Sequence, residues 1–76
     1  MLGGIYEEKR QFVENELNAC IKAAKVGVDH LEYTKQDAHS PEIVTICFIG
    51  GGRRFVNVSG DSHLAIIEDV MRWGAF

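Results

Sequence analysis

The sequence predicts an α+β fold of order αβββα, a three-stranded antiparallel meander with both helices packed on one face. One small domain accounts for residues 1–76. Three observations carry this. Apolar residues recur at helical spacing at both ends of the chain, and two-residue alternation with β-branched runs fills the middle. The connections between the runs are short, which favours antiparallel neighbours. Two amphipathic helices must bury their stripes, and one face of a three-stranded sheet is the only large surface available.

From Tyr6 to Val26 the line Tyr6, Val13, Leu17, Cys20 and Ala24 makes one helical stripe, widened by Phe12 and Ile21. Glu7, Glu8, Glu14 and Glu16 weight its first half, and Lys22 and Lys25 its end, a gradient that suits the helix dipole. Gly27 fits the C′ position. Asp29 to Lys35 alternates, with Leu31 and Tyr33 on one side and His30, Glu32 and Thr34 on the other. Gln36 to Glu42 is a polar loop with the one proline, Pro41. Ile43 to Ile49 is apolar on both faces and reads as the central strand. Gly50-Gly51-Gly52 forms a tight turn, and Arg53 to Ser59 alternates again. Gly60-Asp61-Ser62 breaks the strand, and Asp61 or Ser62 can cap the next helix. That helix buries Leu64, Ile67, Val70 and Met71, with Ile66 and Trp73 beside them, and ends at Gly74. The expected core is Val13, Leu17, Cys20, Leu31, Tyr33, Val44, Ile46, Phe48, Val56, Val58, Leu64, Ile67, Val70 and Met71.

Bulk properties narrow the function classes. The 76 residues carry 8 basic and 11 acidic side chains, a net charge of −3, so the whole chain is no electrostatic magnet for nucleic acid. A hydrophobic fraction of 46% argues against disorder. No apolar run approaches the roughly 20 residues of a membrane span. The N-terminus lacks the pattern of a signal peptide. Two cysteines make no disulfide framework, so a reducing cytoplasm is expected.

Register gives the most informative functional inference. If Val44, Ile46 and Phe48 face the helices, then Ile43, Thr45, Cys47 and Ile49 face away. Phe55 and Asn57 join them, as do His30, Glu32 and Thr34. Ile43, Cys47, Ile49 and Phe55 are then an apolar patch that nothing in the chain covers, and such patches mark contact surfaces. The competing reading is that Ile49 and Phe55 cover each other across the hairpin.

Motifs for chemistry are sparse. His30, His39 and His63 lie on a strand, a loop and a helix start, with no ligand-spaced partner in sequence. Cys20 and Cys47 form no Cys-x-x-Cys, so neither a metal site nor a cofactor is expected. Cys20 reads as a core residue, and Cys47 lacks an activating base in sequence. Gly50-Gly51-Gly52-Arg53-Arg54 joins two strands rather than a strand to a helix, so it reads as a hairpin with a basic flank, not a phosphate loop. Asp61, Glu68 and Asp69 read as a solvated acidic face, or as an acidic surface competing with nucleic acid for a basic groove. Trp73 and Phe76 read as core edge or as a partner anchor.

Two families enter by layout. The element order resembles the double-stranded RNA-binding domain, which contacts phosphates through lysines at the start of its last helix. The matching stretch here, Ser59-Gly60-Asp61-Ser62-His63-Leu64-Ala65, carries an acid and no lysine. The runs Ile43–Ile49, Arg54–Ser59 and Ile66–Val70, about a quarter of the chain, resemble small phage-encoded anti-CRISPR inhibitors of Cas9. That resemblance implies a phage or mobile-element protein that blocks a nuclease with acidic side chains.

The expected function is therefore a non-enzymatic protein-binding module, whose partner is another protein such as a CRISPR effector nuclease. Its contact residues are Asp61, Glu68 and Asp69, or the sheet residues, with Glu32 a lesser candidate. Two alternatives stay open. One is a nucleic-acid-binding module using Arg53, Arg54 and Lys35. The other is a homodimer formed through Ile43, Cys47 and Phe55.

Overall fold

A computed structural model describes residues 4–24 and 27–74. The expected end of the first helix at Lys25-Val26 and the tail Ala75-Phe76 lie outside the described residues, as do residues 1–3. The element order is αβββα, with the strands in sheet order β1-β2-β3. The first helical arm runs as α1 (Ile5–Gln11), a π-helical segment (Phe12–Leu17) and α2 (Asn18–Ala24). The strands are β1 (Val28–Thr34), β2 (Ile43–Phe48) and β3 (Arg53–Asn57), and α3 (His63–Gly74) closes the order.

The helical arm shows why spacing alone misplaced one residue. Its backbone stays helical at both joints, Phe12 and Asn18. The π segment nevertheless admits an extra residue, which advances the inward line by one position. Val13 and then Ile21 are buried, and Cys20 turns outward. Cys20 is thus a surface cysteine and not a core residue. In α3 the inward line runs through Ile66 and Val70, which leaves Leu64 and Met71 exposed rather than in the expected core. Ser62 caps α3, its Oγ accepting from the Ala65 N–H at 3.2 Å.

Both helical parts pack on one sheet face, the first arm over β1 and α3 over β3 and β2. The core between them joins Val13, Ile21, Leu31, Ile46, Val58 and Ile66 with their neighbours. The strand pairs are antiparallel, with Leu31 opposite Ile46 and Val44 opposite Val56. Gly51 turns the β2–β3 hairpin at φ 97°, a conformation glycine adopts without strain. The Phe48 N–H donates to the Gly52 carbonyl at 2.8 Å and closes the turn.

The two sheet edges are treated differently. Along β1, Asn18 stands in for a missing strand. Its Oδ1 accepts from the Leu31 N–H at 2.6 Å, and its Nδ2 donates to the Leu31 carbonyl at 3.1 Å. Glu14 Oε2 accepts from the Tyr33 N–H at 3.0 Å. Helix side chains thereby satisfy an edge that would otherwise invite pairing. Along β3 no further strand pairs among the described residues.

Under the helices sits a buried polar cluster centred on Glu42. Its Oε1 accepts from Lys9 Nζ at 2.9 Å and from the Tyr33 hydroxyl at 2.6 Å, and its Oε2 accepts from the Gly60 N–H at 2.9 Å. Lys9 is 4% exposed and Glu42 5%. Burial alone would push the Glu42 carboxyl up, but the bonds from Tyr33, Gly60 and Lys9 outweigh it and hold it below its ordinary range. Burial and the Glu42 carboxylate raise the Tyr33 hydroxyl. One residue of the β1–β2 loop thus ties α1, β1 and the turn before α3 together.

Candidate functional site

The outer face of the sheet is the surface the helices leave free. Each strand contributes its outward positions: His30 and Glu32 from β1, Ile43, Thr45 and Cys47 from β2, and Arg53 and Phe55 from β3. Phe55 is 69% exposed, and Ile49, at the hairpin turn, equally so. Ile43 is half-buried. Cys47 departs from expectation. It faces outward yet is only 6% exposed, because it lies on the central strand between its register partners His30 and Arg53. The expected apolar patch is therefore interrupted by a polar centre, with Phe55 and Ile49 as its exposed anchors.

That polar centre is built by a β-bulge. Val28 pairs with Phe48 and His30 with Cys47, so β1 spends two steps where β2 spends one, and Asp29 is the extra residue. A bulge breaks the two-residue alternation and re-aims side chains. Val28 turns into the core, while Asp29 and His30, which a regular strand would set on opposite faces, come together. His30 Nδ1 lies 2.6 Å from Asp29 Oδ2, and Nε2 lies 2.9 Å from Glu32 Oε2. These bonds, first from Glu32 and then from Asp29, raise the imidazole above its ordinary value.

Cys47 completes the group. One ligand-capable atom each from His30, Glu32 and Cys47 lies within 4.8 Å of the other two. Burial pushes the thiol up, and the Glu32 carboxylate adds to this while Arg53 opposes it. No sequence motif announces this trio. A signal did exist in the pairing: His30 and Glu32 share one strand face, and the residue opposite His30 is a cysteine.

The other expected contact residues are dispersed. Asp61 lies beside Asp69. The Asp69 carboxyl, then burial, push the Asp61 carboxyl up to about 6. Asp61 Oδ2 is buried with no hydrogen-bond partner among the described residues. Glu68 alone is fully on the wet side of α3. Asp61, Glu68 and Asp69 do not form one solvated acidic face: Glu68 is exposed, while Asp61 and Asp69 are half-buried. The basic set divides as well. Arg53 is paired with Cys47 and Arg54 with Ile46, so the two arginines leave opposite faces of β3. Lys35 is buried, donating to the Ser40 carbonyl at 2.6 Å and lying 4.8 Å from the centre of the Tyr6 ring. Arg53, Arg54 and Lys35 therefore make no common basic patch. Arg54, Phe55, Asp69 and Trp73 instead line a shallow cleft of about 410 Å³ beside the β3 edge.

Among the described residues, no helix is long and apolar enough to cross a membrane. No protein family, curated protein or solved structure matches this chain.

Proposed function

We propose that this chain is a non-enzymatic protein-binding module that presents the outer sheet face to a different protein. The observation that carries the reading is the exposure of Phe55 and Ile49 on a face no described helix covers. Large aromatics of this kind anchor interfaces. The polar centre of Asp29, His30, Glu32 and Arg53 favours a heterologous partner over a second copy. Permanent homodimers bury more uniformly apolar surfaces, whereas non-obligate interfaces mix apolar anchors with charge. Direct binding to nucleic acid is disfavoured by the division of Arg53, Arg54 and Lys35 and by the net charge of −3.

The narrower proposal is that the partner is a bacterial defence nuclease of the CRISPR effector kind and that the chain is a phage or mobile-element inhibitor. It is supported by the element order. Acidic mimicry by Asp61 and Asp69 does not support it, since both are half-buried and Asp61 Oδ2 is buried, so the sheet face is the contact surface we favour. Cytoplasmic residence belongs to the same proposal, in keeping with two free cysteines.

Capture from host lysate with the wild type, Phe55→Asp and Leu64→Asp tests the module. Leu64 is exposed on α3, away from the sheet face, and serves as the control. A partner retained by Leu64→Asp and lost by Phe55→Asp is the expected result. A partner lost equally from both variants, or only self-association by mass in solution, overturns the reading. A defence nuclease in the captured band, blocked in a cleavage assay, is what the narrower proposal requires.

A further inference from the structure

The geometry points to a zinc-class divalent metal site on the outer sheet face, ligated by His30 Nε2, a Glu32 carboxylate oxygen and Cys47 Sγ. Four features converge on it. The donor set of imidazole, carboxylate and thiol is the kind zinc takes, whereas calcium and magnesium prefer oxygen alone. The three donors come from two paired strands, so the ladder fixes their relative positions: His30 is opposite Cys47, and Glu32 is two residues on along the same face. Their ligand atoms lie within 4.8 Å of one another. Bonds of about 2.0–2.3 Å to a tetrahedral ion need donor separations of roughly 3.3–3.8 Å. The gap is about an ångström, within reach of χ rotation at His30 and Glu32, which are only partly buried.

The fourth feature is Asp29. Metal-bound histidines characteristically give their second ring N–H to a carboxylate, which fixes tautomer and ring orientation. Asp29 Oδ2 already stands 2.6 Å from His30 Nδ1. This leaves Nε2 as the donor nitrogen, on the side where Glu32 lies. The extra residue in β1 is what brings Asp29 there. A bulge costs ladder bonding, and here it places an orienting carboxylate behind a ligand. Three protein donors on an open face leave a fourth position for water or for a partner's donor, the arrangement of an open rather than a closed zinc site. Arg53 flanks Cys47 from β3, but its side chain is exposed and free to swing into solvent. The site stands independently of the partner proposed above.

Cobalt(II) titration of the tag-free full chain, followed by zinc displacement, tests the site. The expected result is one cobalt per chain, with thiolate-to-cobalt charge-transfer absorption and the intense visible bands of four-coordinate cobalt. Zinc displaces it and excess magnesium does not. Cys20→Ser leaves the spectrum unchanged, and Cys47→Ser removes the thiolate band. His30→Gln and Glu32→Gln weaken binding by at least about tenfold, and Asp29→Asn, a positioning change, by about 10–100-fold. Circular dichroism of each variant reports its folding. Should Cys47→Ser not fold, the variants at His30 and Glu32 decide. No complex at micromolar cobalt, a thiolate band that follows Cys20, or affinity unchanged in His30→Gln overturns the site.

Discussion

Two groups of acidic and basic side chains lie on opposite faces of one sheet, and they differ in how complete their bonding is. Under the helices, Glu42 accepts from Lys9, Tyr33 and Gly60, and the side chains of Lys9, Tyr33 and Glu42 are all buried. On the outer face His30 bridges Asp29 and Glu32 while remaining partly solvated, and the Cys47 thiol lies within reach. The first group has no capacity left for a ligand. A buried ion pair offsets its desolvation cost only when such bonds are all made, and its contribution is to fix one arrangement of α1, β1 and the turn before α3. The second group has donors to spare and access to solvent. Closure makes a polar cluster structural, and openness makes it available to a partner or an ion.

The largest way to break this contrast is Glu42→Ala. It leaves Lys9 buried without its counter-charge, and urea unfolding should show a loss of about 3–5 kcal/mol. Tyr33→Phe removes one bond to a charged acceptor and should cost about 1.5–3 kcal/mol in the same assay. The Glu42 carboxyl is held down in the folded state. Its contribution is therefore complete above the ordinary value of 4.5 and is lost as pH falls below it. Asp61 has the opposite sign. Its folded value is raised from 3.8 to about 6, so the protonated form is favoured by folding, and stability falls as pH rises through that window. Asp61→Asn removes the titrating carboxyl beside Asp69. It should stabilise the chain above about pH 6 and lose that advantage near pH 4, read from denaturation midpoints at the two pH values. The smallest change in stability belongs to Phe55→Asp. An exposed site off the core should move by no more than about 0.5 kcal/mol, while partner capture is lost.

The element order, the strand faces and most of the core were legible in the sequence because period-two alternation and β-branched runs survive folding intact. Leu31, Tyr33, Val44, Ile46, Val56 and Val58 are buried where alternation puts them. The helices were less legible for a physical reason. α3 carries overlapping apolar stripes, and only the packing on the sheet chooses the line of Ile66 and Val70, leaving Leu64, Met71 and Trp73 exposed. The π segment shifts the phase of the first arm, so Ile21 and not Cys20 meets the sheet. Buried Lys9 and Glu42 ran against polarity, since a lysine 33 positions from its partner carries no local sign of it. The metal-ligand trio was missed because its donors come from two strands and one bulge, and spacing along the chain records neither. Among the candidate residues, Phe55 faces outward from β3 where alternation places it, and Ile49 is exposed at the hairpin turn beyond the paired strand.

Thermal melting with and without zinc tests most directly whether the open cluster differs from the closed one. The account predicts that zinc at about a hundredfold excess over its dissociation constant raises the wild-type midpoint by about 10 °C or more. Tyr33→Phe, lower in midpoint, should keep the full zinc increment, while His30→Gln at the same zinc concentration should lose about half of it or more. A zinc increment absent from the wild type, or undiminished in His30→Gln, would contradict it.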